Sequence, residues 1–324
     1  MLKVHHINVG HGDTTFIELP DGQTMLIDCN YTDSAEEDIL EYLDRHITKT
    51  DDEKKVLDYL VITHPDEDHL CGIKDLSEKF KIGKIWESGF RFEDGNDRPH
   101  YDDFLSLVKK IGSVKLRASR TPYEVGGATF YCFSSSKYAE DENNDVHYDC
   151  LVLRMVYGDA SVLFAGDSNH KCWKNKVVKY YAERELADGT TLDNLLTSDY
   201  LHASHHGSRS FFMEKKDDEP YLEGIKAIDP SVVIVSALSM DESEDRGGKD
   251  QDWPPHEDAM SIYEEHADEI LLTCDGNIIY EISDDGGFER TLSENVTKRS
   301  GRKKGKLIAS VSFTPPKPYY DANK

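Results

Sequence analysis

Thr63-His64-Pro65-Asp66-Glu67-Asp68-His69 is the stretch on which the fold turns. It sets His64, Asp66, Asp68 and His69 in the spacing His-x-Asp-x-Asp-His, directly after the apolar run Leu57-Asp58-Tyr59-Leu60-Val61-Ile62. That run is short and rich in Leu, Val, Ile and Tyr, the composition of a buried strand. Side chains alternate along extended backbone, so His64, Asp66 and Asp68 are expected on one side. His69 is expected to open a helix that runs to Phe80 and to turn back to the same point. Imidazole nitrogens and carboxylate oxygens together suit a borderline or hard divalent cation such as zinc or manganese. The competing reading is an acidic loop that happens to hold two histidines.

Four other segments repeat the design. Asp28 ends Leu26-Ile27-Asp28-Cys29, and His147 stands just before the strand Leu151 to Met155. Asp167 ends Leu163-Phe164-Ala165-Gly166-Asp167, and Tyr200 to Ser208 carries the pair His205-His206. Each short apolar run delivers His or Asp at its end, as a metal cluster on a sheet rim requires.

In that order the set resembles the metallo-β-lactamase superfamily, and within it the hydrolase domain of the ComEC-type competence proteins. Val9-Gly10-His11-Gly12-Asp13 occupies the place of that group's Gly-Gln-Gly-Asp, Asp66 stands at its acidic position, and His205 to Ser208 matches its His-His-Gly-Ser. A later strand (Val232 to Ala237), Pro254-Pro255-His256 and the helix Glu257 to His266 also match, so the likeness covers about residues 1 to 282. His11 in place of Gln adds a titratable group, and His147 in place of the group's frequent Asn favours a full second metal site. Asp66, where most of the superfamily has an imidazole, makes its site harder and moves the preference towards manganese.

The resemblance implies a four-layer αββα sandwich, and the alternation of strands and helices agrees with it. It implies a dinuclear site that holds two divalent cations, zinc first and manganese second. Asp167, a single carboxylate after a glycine at a strand end, is the expected bridge. His64, Asp66 and His147 are expected on the first metal; Asp68, His69 and His205 on the second, with His206 the alternative. Asp28, Asp13 and Ser208 are expected to support from behind. A hydroxide generated at the metals would attack phosphorus or a carbonyl, steered by Asp68, with His206, His256 or His11 as proton donor. A phosphodiesterase or nuclease is the first expectation; hydrolysis of a small ester, thioester or lactam, or a non-catalytic metal-binding module, are the alternatives.

The formal net charge is −25, which repels duplex DNA and anionic membranes at long range. Lys298 to Lys306 is the one basic run, a possible guide for a nucleic acid or else a solvated tail. A protein partner from the same system is a further expectation, and no residue names one. No run of about 18 apolar residues exists, so no membrane span is expected. Met1 to His6 reads as a strand and not as a secretory signal. Six scattered cysteines without a Cys-x-x-Cys pair suggest reduced thiols of a cytoplasmic protein. Cys29, Cys71 and His202 are read as packing residues, and His5 and His6 as structural or exposed. Residues 1–285 are expected to form the hydrolase domain and 286–324 a basic, Pro-containing extension. Helices are expected at 34–47, 69–80, 101–112, 168–185, 218–227 and 256–267, the first begun by the capping box Ser34-Ala35-Glu36-Glu37. Asp188 to Asp199 and Ser239 to Trp253 are expected as insertions beside the cleft.

Overall fold

A computed structural model describes residues 1–32, 37–52, 54–93, 95–136, 145–239, 253–284, 287–293 and 307–313. Its centre is the strand Lys54–Ile62. Leu57, Leu60 and Ile62 pack into one apolar layer, and Tyr59 and Val61 into another, so the strand is apolar on both faces. A strand covered on both sides reads as a continuous hydrophobic run, and it belongs in parallel pairing. It lies parallel to Thr24–Ile27 on one side and Lys81–Glu87 on the other.

Two mixed sheets are built in the same way. In the first, Phe288–Ser293, Asn277–Ile282, Leu2–His6, Thr15–Glu18 and Thr24–Ile27 pair antiparallel in that order. Lys54–Ile62, Lys81–Glu87 and Val114–Lys115 then follow in parallel. In the second, Tyr123–Val125, Ala128–Ser134, Val152–Tyr157 and Ala160–Phe164 pair antiparallel. Tyr200–His202, Val232–Val235 and Glu269–Leu272 then continue in parallel.

Three apolar layers hold four layers of structure together. Leu2, Val4, Met25, Val61, Phe130, Val162, Tyr200 and Ile278 meet between the sheets. Leu26, Leu60, Leu43, Leu76 and Phe104 join the first sheet to its helices. Leu163, Leu201, Val233, Trp173 and Tyr263 do the same for the second. The architecture is the expected αββα sandwich.

Several local expectations are corrected. The first described helix is Ile39–His46, and its cap is Asp38, whose carboxylate accepts from the backbone N–H of Leu40 and Glu41. The capping box falls largely on 33–36, outside the described residues. The expected helix 69–80 is two helices, Glu67–Leu70 and Ile73–Lys79. They part at Gly72, where a Cβ would stand 2.6 Å from Cys29 Sγ. The expected helix 168–185 ends at Tyr181 and contains a π-helical turn, Trp173–Val177. Asp188 to Asp199 does not line the rim that carries the site. Asp199 accepts from the N–H groups of Ser231 and Val232 and from Ser161, at the opening ends of the strands whose closing ends hold the site. Beyond residue 285, Phe288–Ser293 and Leu307–Phe313 add two antiparallel strands to the first sheet. The basic run and most of the acidic loop 239–253 lie outside the described residues.

Candidate metal centre

The four strands that change each sheet from antiparallel to parallel end at one rim. Asp28 follows Thr24–Ile27, and His64 to His69 follow Lys54–Ile62. Asp167 follows Ala160–Phe164, and His205-His206 follow Tyr200–His202. In α/β sheets, ligands bind beyond the carboxyl ends of strands where the topology switches. Both sheets place their switch point here.

The rim gathers two main groups of donors around Asp167, and a third, His147, Asp167 and His205, overlaps them. In one, His64 Nε2 is 3.5 Å and His147 Nε2 3.0 Å from Asp66 Oδ2. In the other, His69 Nε2 is 3.9 Å from Asp68 Oδ1 and His206 Nε2 3.1 Å from Asp68 Oδ2. Asp167 faces both: Oδ1 is 3.2 Å from His69, and Oδ2 is 3.6 Å from His64 and 4.0 Å from His147. Asp68 is not on extended backbone as expected. It lies in the helix Glu67–Leu70, and that turn splits the motif between the two groups.

The donor set fits cations, and the tautomers carry the argument. His69 Nδ1 donates to Asp28 Oδ2 at 2.8 Å, and His206 Nδ1 donates to the Ser236 carbonyl at 3.0 Å. A neutral ring that donates through Nδ1 has a bare lone pair at Nε2. Those lone pairs face the carboxylates of Asp167 and Asp68. Acceptor facing acceptor requires a positive charge between them. His64 Nε2, His69 Nε2 and Asp167 Oδ1 are indeed buried without a hydrogen-bond partner.

The electrostatics state the same demand. Burial raises the carboxyl of Asp167, yet His205, His69, His206 and His64 outweigh it and hold it well below the usual range. Asp66 and Asp68 are lowered likewise, burial again opposing. Burial lowers His69, but Asp167, Asp28 and Asp68 raise it well above an ordinary imidazole, and His206 follows through Asp167 and Asp13. Carboxylates that draw protons onto neighbouring imidazoles would draw a dication in the same way.

The expectation that His205 joins Asp68 and His69 is corrected: His206 takes that place. Both residues are left-handed, with φ of 50° and 56°, so the adjacent rings diverge. His206 is anchored on Ser236. His205 Nδ1 pairs with Ser210 Oγ at 3.0 Å, its Nε2 lies 3.6 Å from Asp167, and its ring is 4.5 Å from that of His147. Burial pushes His205 down to about 4, with His147 and His206 adding like charge and Asp167 opposing. Left-handed backbone costs a non-glycine residue about 1–3 kcal/mol and clusters at functional sites. Asp28 shares it, with φ of 57°.

The remaining expected residues divide. Asp28 accepts from His69 and also from Thr63 N and Oγ1, at 2.8 and 2.6 Å. Asp13 Oδ1 is buried 3.4 Å from His206 Nδ1. His11 Nε2 is 3.3 Å from Asp68 Oδ2, with its ring against His206 and the edge of Trp253. His256 stands behind the pair: its Nδ1 accepts from Arg209 N–H, and its own N–H donates to the Gly207 carbonyl. Ser208 Oγ accepts from Ser210 N–H and caps the turn Arg209–Phe211. His202 packs, stacked on His6 at 4.9 Å. Sequence reasoning missed Thr63, Ser210, Ser236 and Cys150. Cys150 Sγ accepts from Asp167 N–H at 3.3 Å and lies 3.7 Å from His64 Nδ1. Of the four, only Thr63 adjoins a ligand in the chain; Ser236 is thirty residues from His206 and gives no signal in the sequence.

Residues 7–133 match the family model described as the metallo-beta-lactamase superfamily. Among curated proteins no sequence matches it. Among solved structures it is similar to Igni18, a metallo hydrolase from Ignicoccus hospitalis, with 14% identity and a TM-score of 0.50; 87% of this chain and 100% of that one are covered. YhfI from Bacillus subtilis, a metallo-beta-lactamase fold protein, gives 13% identity and a TM-score of 0.47 over 87% of this chain and 100% of that one. Zn(2+)-bound PqqB from Methylobacterium extorquens gives 10% identity and 0.48, again over 87% and 100%. The likeness to Igni18 concerns the fold.

Proposed function

We propose that this chain, built on a metallo-β-lactamase superfamily domain, is a dinuclear metal-dependent hydrolase whose substrate is a phosphodiester. One observation carries the reading: a single buried carboxylate, Asp167, faces two separate sets of imidazole and carboxylate donors. Divalent cations held there would supply Lewis acidity and would make a water acidic enough to act as a nucleophile near neutral pH. His64, Asp66 and His147 would hold one, and Asp68, His69 and His206 the other, with Asp167 shared.

The chain's own residues do the rest. Asp28 fixes the His69 ring and the Ser236 carbonyl fixes His206, so both present Nε2 without reorganisation. His11, only part-buried at the mouth beside Asp68, is placed to hand a proton to a leaving oxygen. His205, beside Asp167 and His147, is placed to contact a substrate oxygen. His256 keeps Gly207 to Arg209 in place and does not meet the acids in any of its described contacts.

Phosphodiester chemistry is favoured because cations held by His64, Asp66 and His147 and by Asp68, His69 and His206 would supply the positive charge that phosphoryl transfer needs. Asp66 adds hardness, and the resemblance to ComEC-type domains points the same way. The charge of −25 means that a nucleic acid would need Lys298 to Lys306 or another protein to deliver it. Six free thiols suit a reducing, cytoplasmic setting, and no described helix is long and apolar enough to cross a membrane. The test is a substrate panel of bis-p-nitrophenyl phosphate, single-stranded DNA, RNA, a thioester and nitrocefin, with zinc and with manganese. Phosphodiester turnover that disappears in His64→Ala and Asp167→Ala supports the reading. Turnover confined to the thioester or nitrocefin, or none at all, overturns it.

A further inference from the structure

On the opposite, helix-covered face of the first sheet, three residues from three elements converge. His5 comes from Leu2–His6, Glu18 ends Thr15–Glu18, and His46 ends the helix Ile39–His46. Leu2 and Val4 point between the sheets, so His5 points the other way, against Phe16 and Tyr42. We propose that His5, Glu18 and His46 form a further site for a single divalent cation of the zinc type, separate from the rim.

His5 Nε2 is 3.1 Å and His46 Nδ1 3.3 Å from Glu18 Oε1, and the three donor atoms lie within 4.8 Å of one another. Donors on a tetrahedral zinc with bonds of 2.0–2.1 Å stand about 3.3 Å apart. Little movement is therefore needed to admit the ion. Two imidazoles and one carboxylate are a known zinc donor set that leaves one position for water. Glu18 and His46 are about one-third exposed, at 33% and 31%, so that fourth position opens to solvent.

The supporting contacts are those of a held ligand. Tyr42 OH is 2.6 Å from His5 Nδ1 and fixes that ring, an outer partner of the kind that orients metal-bound histidines. Tyr42 also stacks on His46 at 4.6 Å and 25°. Burial keeps His5 below its ordinary pKa, so the ring is neutral at pH 7, the form that ligates. An ion here would clip the end of the helix Ile39–His46 to two strands. The site shares no residue with the rim groups.

The test counts metal in the full chain. Wild type, His46→Ala and Glu18→Gln are loaded with zinc, desalted and measured for zinc per protein by mass spectrometry. Both changes are at part-exposed side chains, and circular dichroism checks the fold. The expected result is one equivalent fewer in each variant than in wild type, with turnover of the panel substrates unchanged. Cobalt should lose one set of tetrahedral absorption bands in parallel. If the rim binds nothing, the counts become one and zero, so the two readings fail separately. Equal zinc in wild type and both variants overturns the proposal and leaves a hydrogen-bonded trio.

Discussion

Asp28→Asn should weaken one metal site and spare the other. Asp28 is 1% exposed and accepts three hydrogen bonds, from Thr63 N–H at 2.8 Å, Thr63 Oγ1 at 2.6 Å and His69 Nδ1 at 2.8 Å. Its φ of 57° is tolerated by asparagine, so the substitution leaves the backbone alone and removes charge. An amide keeps one acceptor oxygen and presents a donor to the His69 N–H. One charge-assisted bond is lost, at a cost of about 1.5–3 kcal/mol. Outer partners of metal-bound histidines independently carry about 10–100-fold in affinity, or roughly 1.4–2.7 kcal/mol at 1.36 kcal/mol per decade. The two routes agree. Competition against a chromogenic chelator should therefore show about 10–100-fold weaker binding at the Asp68-His69-His206 group, with the His64-Asp66-His147 group changed by less than about threefold. Urea unfolding in chelator should show about 1.5–3 kcal/mol lower stability. Wild-type affinity at both groups, or equal weakening at both, would refute the reasoning.

His206→Ala should lower turnover and second-site affinity by on the order of 100-fold or more, and His205→Ala should leave metal content intact while lowering turnover, as metal analysis beside steady-state kinetics will report. Gly166→Ala should destabilise by about 2–4 kcal/mol in urea, because φ is +49° and the added Cβ would stand 2.6 Å from Cys150 Sγ. Glu18 is held below the usual glutamate range: burial raises it, but hydrogen bonds from His46 and His5 outweigh that. A depressed carboxyl contributes stability that is full above its unfolded pKa of about 4.5 and fades as pH falls through the folded value. In chelator, the stability gap between wild type and Glu18→Gln should accordingly be widest near neutral pH and close on acidification. A gap that widens below pH 4.5 would contradict it.

The legible part of this protein was its strands and their ends. Leu57 to Ile62 announced itself because a strand covered on both faces must be apolar throughout, and the His and Asp residues at strand ends followed from that. Side-chain alternation could not see that Glu67–Leu70 would coil Asp68 away from Asp66. Nor could sequence choose between His205 and His206, since their divergence depends on two left-handed residues and on Ser236 and Ser210, distant or unremarkable in the chain. His5 reads from sequence as structural or exposed because its partners Glu18 and His46 are brought to it only by sheet pairing and helix docking. Asp188 to Asp199 looked like a cleft insertion because polarity does not tell which end of a strand a loop serves.

The central claim is that Asp167 stands between two cations. Anomalous diffraction from crystals grown with zinc or manganese tests it most directly. The account predicts two peaks at the rim, one on His64, Asp66 and His147 and the other on Asp68, His69 and His206, each within bonding distance of Asp167. A rim with no peak, or with a single ion that leaves either group unengaged, would contradict it.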